Sequence, residues 1–580
     1  MSKRKIIYIS ITIGCVAALF LSVMGFLPDI FVEREEKEAL ETVIKKPEQP
    51  VKREMEGEEV SQAIEGLYLP TYDEAGKEQL VLRGEHAVFV NNRLYKITNP
   101  TIDVYYEEKP SAPITITSLH GEMDKVTNLG ILYDNVVIKL SEKMNAYTDN
   151  LKYEPDKRRI HTDDAVTIIG ERMKVIGKGF VADLTEQNVQ IKNDVELDIH
   201  GQTSLPLNEV KGLPVPPQST RITSSGPFVF EKRTNTATFL SSARVTRGTL
   251  TLLADNLALH LNPDNGKLTQ LVANGNVVAS DAPTVAKAKT LTWNATSQIV
   301  TLEGDPVAEL FERNASIASS KIILRQKDNS IEAPTEGRLV TKLEAKEHGQ
   351  TSLSMPPSSH VTNITWKGSM SFEKDKHVAM FKKGVEVTKE DSKINCGSLL
   401  VNFEADNSSI KTIKATKAVH LLETKDGVKR EAKASQVIWE AGGNLVEMVA
   451  EPSAWVQEGN RQLTAPYIML FDNGQKIIGE GPGNLSITES KETTDADNPP
   501  QAEALNVSWL DRMVFDQAQQ RAFFYGGVKT VKGEHKIDSD QLDVFLSGSN
   551  NFDKIIAKGN VYFKDLRKDG IEGIGDIANW

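Results

Sequence analysis

Two cysteines occur among the 580 residues, Cys15 and Cys396. Cys15 lies inside an apolar run and Cys396 stands alone, so an intrachain disulfide framework is excluded and neither zinc nor iron–sulfur ligation is suggested. Histidine is sparse too. The ten histidines are scattered, with no HxH or HExxH spacing to hold a catalytic metal. Basic charge is in deficit: the net charge of −12 argues against nucleic acid, whose phosphates require a basic face. There is no G-x-S-x-G elbow and no P-loop. The Gly-rich "GEGPGN" at 479–484 lacks a following Lys-Ser/Thr and reads as a turn, and the paired acids Asp163-Asp164 read as solvated turn residues. No cofactor is called for, and Cys396, without a neighbouring histidine, reads as a small buried residue.

What is present begins with one long apolar run. Ile6 to Leu27 is 22 residues without a charge, enough to cross a ~30 Å hydrocarbon layer as a helix. "MSKRK" before it and "EREEKEALE" after it place the N-terminus on the cytoplasmic side. No small-x-small cleavage site follows. A lipoprotein box at Thr12 to Cys15 has only a short apolar lead-in, and the run continues past it. The expectation is a retained anchor over 1–28, a charged, Pro-dotted stalk over 29–62, and the bulk of the chain outside the inner membrane.

Length alone implies three to five domains. Beyond Glu65 the hydrophobic period is two: "LALHL" places Leu257, Leu259 and Leu261 on one face, and "LLVNF" and "LDVFL" copy it. The runs end in "PDNG", "ANGN" and similar pairs that supply turns and positive φ. The chain is expected to be all-β.

The alternation itself repeats. Leu257, Leu399 and Leu542 lie 142 and 143 residues apart; Ala273, Ala415 and Ala557 are spaced 142 and 142. Phe239, Phe381 and Phe524 correspond, as do Trp293 and Trp439, and Trp580 falls 141 after Trp439. Pro216-Pro217, Pro356-Pro357 and Pro499-Pro500 mark linkers between units. The units run 218–355, 358–498 and 501–580, the last partial, with a weaker copy over 63–215. What repeats is apolar residues and Gly-Asn corners, so the period specifies a shape. Short strands with such corners suit a stacked β-solenoid, jelly roll or sandwich.

The N-terminal anchor, "GLYLPTYDEAGKEQLVLRGEHAVFV" and "SLHGEMDKVTNLGILYDNVVIKL" together resemble the membrane-anchored component of the lipopolysaccharide-transport bridge, the LptC family. "ADNLALHLNPDNGKLTQLVANGNVVA" and "SDQLDVFLSGSNNFDKIIAKGNVYFKD" resemble its soluble bridge partner, the LptA/OstA-like family. The resemblance covers about residues 60–580. It implies tandem open β-jellyrolls forming a continuous elongated two-sheet structure whose apolar groove holds the acyl chains of lipopolysaccharide or a related glycolipid. It also implies two kinds of protein partner. One is the periplasmic domain of an inner-membrane ABC transporter. The other is a further β-jellyroll, either a bridge protein or an outer-membrane translocon.

Alternation nominates the inward residues. They are Leu257, Leu259, Leu261, Leu271 and Val277 in the first unit, and Leu399, Val401, Phe403, Ile413 and Val419 in the second. In the third they are Leu542, Val544, Leu546, Ile555 and Val561. Two rival readings remain. A structural β-repeat rod scaffolding the envelope needs the same repeats with a filled interior, for which 6% aromatic residues are a meagre supply. A polysaccharide-active β-solenoid needs clustered carboxylates on one face, which the alternation does not supply.

Overall fold

The computed structural model describes residues 60–579, apart from short segments of which the longest are 200–218, 343–360 and 490–502. The expected anchor, the stalk to residue 59, the linker prolines and Trp580 lie outside the described residues. Among those described there is no α-helix; 3₁₀ turns occur at Pro155–Lys157 and Lys374–Lys376, and antiparallel strands joined by turns make up most of the rest. No described helix is long and apolar enough to cross a membrane. The described residues fall into two compact units, 60–302 and 303–579.

In the N-terminal unit Val60–Tyr72 pairs with Glu78–Val90. The latter strand then faces two short strands in line, Leu94–Thr98 and Thr101–Val104. These pair with His120–Asp124 and Ile114–Thr117, and both continue onto Gly130–Ser141. The ladder proceeds strand by strand to Asn188–Ile199. That strand pairs with Thr220–Ser224 through Ile199 and Thr220 and with Phe228–Glu231, so hydrogen bonding bypasses the intervening linker. Four long strands, Thr236–Arg247, Leu250–Leu261, Leu268–Asp281 and Thr284–Asn294, follow in order.

The C-terminal unit repeats the device. Ala315–Arg325 faces the broken pair Ser330–Ala333 and Gly337–Lys342, which pair with Ser369–Glu373 and Val361–Trp366. Arg461–Phe471 faces Lys476–Glu480 and Gly483–Glu489, which pair with Arg512–Asp516 and Glu503–Trp509. Within each compact unit, therefore, the strands on either side of a linker seen in the sequence pair directly with each other.

Most long strands bend at mid-length. The pairing register shifts between Leu240 and Ala243, between Lys382 and Val385, and between Tyr525 and Val528. Two successive residues at each corner take left-handed backbone: Ser241-Ser242, Lys383-Gly384 and Gly526-Gly527. Such paired bulges turn a strand sharply. Inward residues are buried on both arms, as in Leu271 and Ala273 before the Gly275-Asn276 corner and Val277 and Ala279 after it. A sheet face is buried only when another layer covers it. With no helix among the described residues, the covering layer is β, and the two arms of each bent strand supply the two layers.

Candidate functional site

The inward residues form rows across the strands. In the first LptA-type copy one row runs Phe239, Leu257, Ala273, Leu291 and the next runs Ala237, Leu259, Leu271, Trp293, each paired directly with the one before. The second copy repeats them as Phe381, Leu399, Ala415, Val437 and Ala379, Val401, Ile413, Trp439. The third gives Phe524, Leu542, Ala557 and Ala522, Val544, Ile555. Cross-strand apolar neighbours about 5 Å apart stabilise a sheet face, and alternating large and small side chains let facing rows interdigitate.

Of the fifteen nominated residues, eleven are buried: Leu257, Leu259, Leu271, Val277, Leu399, Val401, Val419, Leu542, Val544, Ile555 and Val561. Leu261, Phe403, Ile413 and Leu546, nearer the strand ends, are half-buried. The structure brings each copy's set onto one face of bent strands and covers that face. A hydrocarbon chain reaches the eleven only when the facing layers part. The neighbours Ala258 and Asn402 point the other way; Asn402 Nδ2 donates to Thr412 Oγ1 at 2.7 Å on the outer face.

Two features went unread in the sequence. The first is a tryptophan at the junction between copies. Trp366 and Trp509, 143 residues apart, are fully buried against the Phe381 and Phe524 rings at centroid distances of 5.5 and 5.4 Å. Trp366 Nε1 donates to Thr335 O at 2.8 Å, across the break between the two short strands. A Cβ at Gly337 would lie 2.6 Å from Trp366 Cζ2, and one at Gly483 would overlap Trp509. The close approach of ring and backbone therefore requires glycine there. In the first copy the corresponding residue is Ser224, whose Oγ donates to Leu240 O or Ser241 O, both at 2.9 Å. The second feature is a cation at the end of the inward row, Arg247, Lys389 and Lys532. In both cases the signal that could have found them is the same 142–143 offset.

Charge otherwise stays outside. Asp543 is covered on the outer face by Arg521 and Lys558, at 3.1 and 2.9 Å, with the Arg521 guanidinium over the Phe523 and Phe545 rings. Burial pushes the Cys396 thiol up to about 11, so at neutral pH it is a small inert side chain rather than a thiolate nucleophile. The arrangement can exclude water from apolar groups; among the described residues of these rows it gathers no nucleophile, base and oxyanion donor in one place.

Repeated bent strands enclosing apolar rows define a β-jellyroll-like repeat protein with an apolar interior. The chain belongs to the lipopolysaccharide-transport proteins. The model of lipopolysaccharide-assembly, LptC-related proteins matches residues 41–199. That of the LptA/(LptD N-terminal domain) LPS transport proteins matches 223–330, 368–476 and 511–579. No curated protein sequence matches the chain. Among solved structures it is similar to LptH of Pseudomonas aeruginosa, the LptA homologous periplasmic component of the conserved lipopolysaccharide transport device. The identity is 10%, over 25% of this chain and 92% of that one, with a TM-score of 0.19. Tricorn protease is similar at 8% identity over 88% of this chain and 63% of that one, with a TM-score of 0.09. Neither likeness carries an argument at these scores.

Proposed function

We propose that this chain is a non-enzymatic periplasmic bridge, anchored in the inner membrane through residues 6–27, that carries lipopolysaccharide or a similar multi-acyl glycolipid towards the outer membrane. The observation that carries this reading is the apolar inner face rebuilt row for row in successive copies. Each CH₂ exposed to water costs about 0.8 kcal/mol, so a multi-acyl amphiphile needs continuous apolar cover between membranes while its head stays wet. Strand pairing from Asn188–Ile199 onto Thr220–Ser224 and Phe228–Glu231 supports the view that an LptC-type and an LptA-type element act here as one conduit. The fifteen inward residues are its lining. A passive groove does no work, so the energy comes from an inner-membrane ABC transporter whose periplasmic domain meets the membrane-proximal end. The far end docks onto another β-jellyroll of a bridge protein or an outer-membrane translocon.

The test is photo-crosslinking in intact envelopes. Crosslinkers at Leu259 and Val401 are expected to capture lipopolysaccharide, and those at Ala258 and Asn402 are not. A second reading, a structural rod spacing the envelope, draws support from the burial of eleven of the fifteen residues in a closed interior. It predicts that none of the four positions captures lipid. Equal capture at all four would remove the groove.

A further inference from the structure

Where the strands of each LptA-type copy bend, two pairs of residues on neighbouring strands stand too close for both to carry a side chain. At the first pair, a Cβ on Gly226 would lie 2.8 Å from that of Ser241, one on Gly368 2.9 Å from that of Lys383, and one on Gly526 2.9 Å from that of Asp511. At the second pair, Gly275 stands against Asp255 at 2.8 Å, Gly397 against Lys417 at 2.6 Å, and Gly559 against Asp540 at 3.1 Å. Corresponding residues are 142 or 143 positions apart. One member of each pair is therefore glycine, and the other decides what the corner displays.

In the first and third copies the displayed charge is an acid, Asp255, Asp511 and Asp540. Glycine takes the left-handed backbone opposite each, at φ 77°, 80° and 74°. The remaining pair of the first copy displays the uncharged Ser241. The second copy exchanges the roles. Gly368 and Gly397 stand where the aspartates do, and Lys383 and Lys417 take the left-handed backbone, at φ 65° and 69°. Glycine adopts that conformation freely and lysine does not. The second copy thus accepts strain at two corners where the charged pairs of the other copies have none. Such strain is kept where a side chain serves something besides the fold.

Two more lysines join the ridge. Lys382 precedes Lys383, and the Lys367 amide donates to Lys383 O at 2.9 Å. All four lysines are exposed. The positions of Lys367 and Lys382 hold Ser225 and Leu240 in the first copy, and Leu510 and Tyr525 in the third. Two acids of the flanking strands, Glu373 and Glu386, are taken by Lys376 and Lys393 at 2.5 and 2.8 Å.

Lys367 and Gly384 also line a cleft of about 610 Å³ that lies wholly within the C-terminal unit. The cleft runs along an outward row, Ala318, Arg338, Thr365, Glu386 and Asn395, each paired with the one before. Glu309 and Glu336 line it too. A small free anion would fill little of this space, and an acidic peptide would set its carboxylates against the three glutamates. Sugar hydroxyls donate to carboxylates and accept from guanidinium and amide groups. A saccharide that also bears anionic groups suits both halves, its hydroxyls in the cleft and its charges on the lysines. From Ala318 to Lys417 the site crosses five strand-to-strand steps, about 24 Å at ~4.8 Å each, which calls for a chain of sugars. Because the site faces away from the apolar rows, it stays free while they are occupied. That favours a glycan fixed in the envelope over one being moved.

We propose that the second LptA-type copy docks onto an anionic glycan strand fixed in the envelope, through Lys367, Lys382, Lys383, Lys417 and the adjoining cleft. The proposal needs the chain to stand between the membranes but not to carry lipid, so either reading can fail without the other.

The experiment uses the full chain in detergent with three soluble probes. One is an oligosaccharide of alternating N-acetylglucosamine and N-acetylmuramic acid, which carries carboxylates. The second is a neutral N-acetylglucosamine oligosaccharide of the same length, and the third is the delipidated, phosphorylated oligosaccharide of lipopolysaccharide. Wild type is expected to bind the carboxylated probe about tenfold more tightly than either of the others, as a few exposed charge pairs supply. Salt should erode that preference. The exchange variant Gly368→Asp, Lys383→Gly, Gly397→Asp, Lys417→Gly copies both corners of the third copy and removes two strained lysines. It is expected to fold and to lose the preference, while lipid capture at Leu259 is unchanged. Should it fail to fold, replacing the four exposed lysines by glutamine reads the same loss. Retention of the preference by these variants overturns the proposal, as does equal binding of the carboxylated and neutral probes by wild type. Tighter binding of the lipopolysaccharide oligosaccharide assigns the site to the carried lipid's own sugars and overturns it. Displacement of the carboxylated probe by polyglutamate at equal charge assigns the lysines to an acidic protein and also overturns it.

Discussion

Asn276 donates through Nδ2 to the Asp255 carboxylate at 2.9 Å, across the corner where two neighbouring strands bend together. Asn560 meets Asp540 in the same way at 2.8 Å in the third copy. This is the meaning of the repeated "GN" before valine: asparagine tolerates the left-handed backbone, at φ 45° and 47°, and ties down the opposing corner. Asn276→Ala removes the bond and puts a less tolerant residue at positive φ. A loss of about 1–2 kcal/mol is expected, read as faster amide exchange through residues 268–281 with little change in the C-terminal unit. Unaltered protection in that hairpin would show that the corner is held by other means.

The second copy lacks this pair. Its corner carries Lys417 and Ala418 at φ 69° and 53°. A non-glycine residue in this region costs roughly 1–2 kcal/mol, and glycine's extra chain entropy about 0.5–1. Ala418→Gly is therefore expected to stabilise slightly, by less than about 1 kcal/mol, seen as a rise in the denaturation midpoint. A fall of that size would mean the Ala418 methyl packs usefully.

At the junction between copies, Gly337→Ala forces a Cβ against Trp366 and against Ala318 O, both at 2.6 Å. The backbone oxygen cannot swing away, so a loss of about 1–3 kcal/mol is expected. Trp366→Ser, which copies Ser224, leaves a cavity and should cost about 3–5 kcal/mol. Combining the two should cost less than their sum, because the serine removes the ring that the new methyl strikes. Simple additivity in thermal melts would place the strain elsewhere.

Asp124 caps its own turn. Arg93 Nε donates to its carboxylate at 2.7 Å, and the Val126 and Thr127 amides donate at 2.8 and 3.1 Å. The Arg93 bond, then the Thr127 amide, hold its pKa down at about 2 against an ordinary 3.8. A carboxylate lowered on folding contributes stability that is full above the unfolded value and is lost as pH falls through the folded one. Amide protection at Val126 and Thr127 should thus hold down to about pH 4 and fall towards pH 2. Asp124→Asn should flatten that acid dependence. An identical acid profile in the variant would assign the effect to another group.

The fold was largely legible because its two determinants are local: alternation says which face turns inward, and Gly-Asn pairs say where the strand bends. Leu257, Leu259 and Leu271 needed nothing more. The broken strands were not legible, because Thr98 to Thr101 and Ala333 to Gly337 read as ordinary turns until their partners on the far side are known. Nor was the ladder's passage past the linkers, which depends on Ile199 meeting Thr220, Lys342 meeting Val361 and Glu489 meeting Glu503. Arg247, Lys389 and Lys532 were overlooked for a physical reason: a cation beside a turn normally faces water, and only the parity of its strand turns it inward.

The strand Glu572–Asn579 pairs along one side with Phe552–Asp565, and no other described strand pairs with it. Ile574 and Ile577 on it are 88% and 65% exposed. Unpaired N–H and C=O groups beside exposed branched apolar residues form a template for strand addition, which sheets ordinarily block with charge or proline. If a further β-jellyroll docks here, a photo-crosslinker at Ile574 should capture it in envelopes, and Ile574→Lys with Ile577→Lys should abolish both capture and lipopolysaccharide export. Because both side chains are already exposed, the double variant should fold within about 0.5 kcal/mol of wild type, so loss of export at unchanged protein level is attributable to the edge. The inward rows stay intact in this variant, and lipid capture at Leu259 should persist while onward transfer stops. Normal export from the double-lysine variant would mean that transfer takes place at another surface.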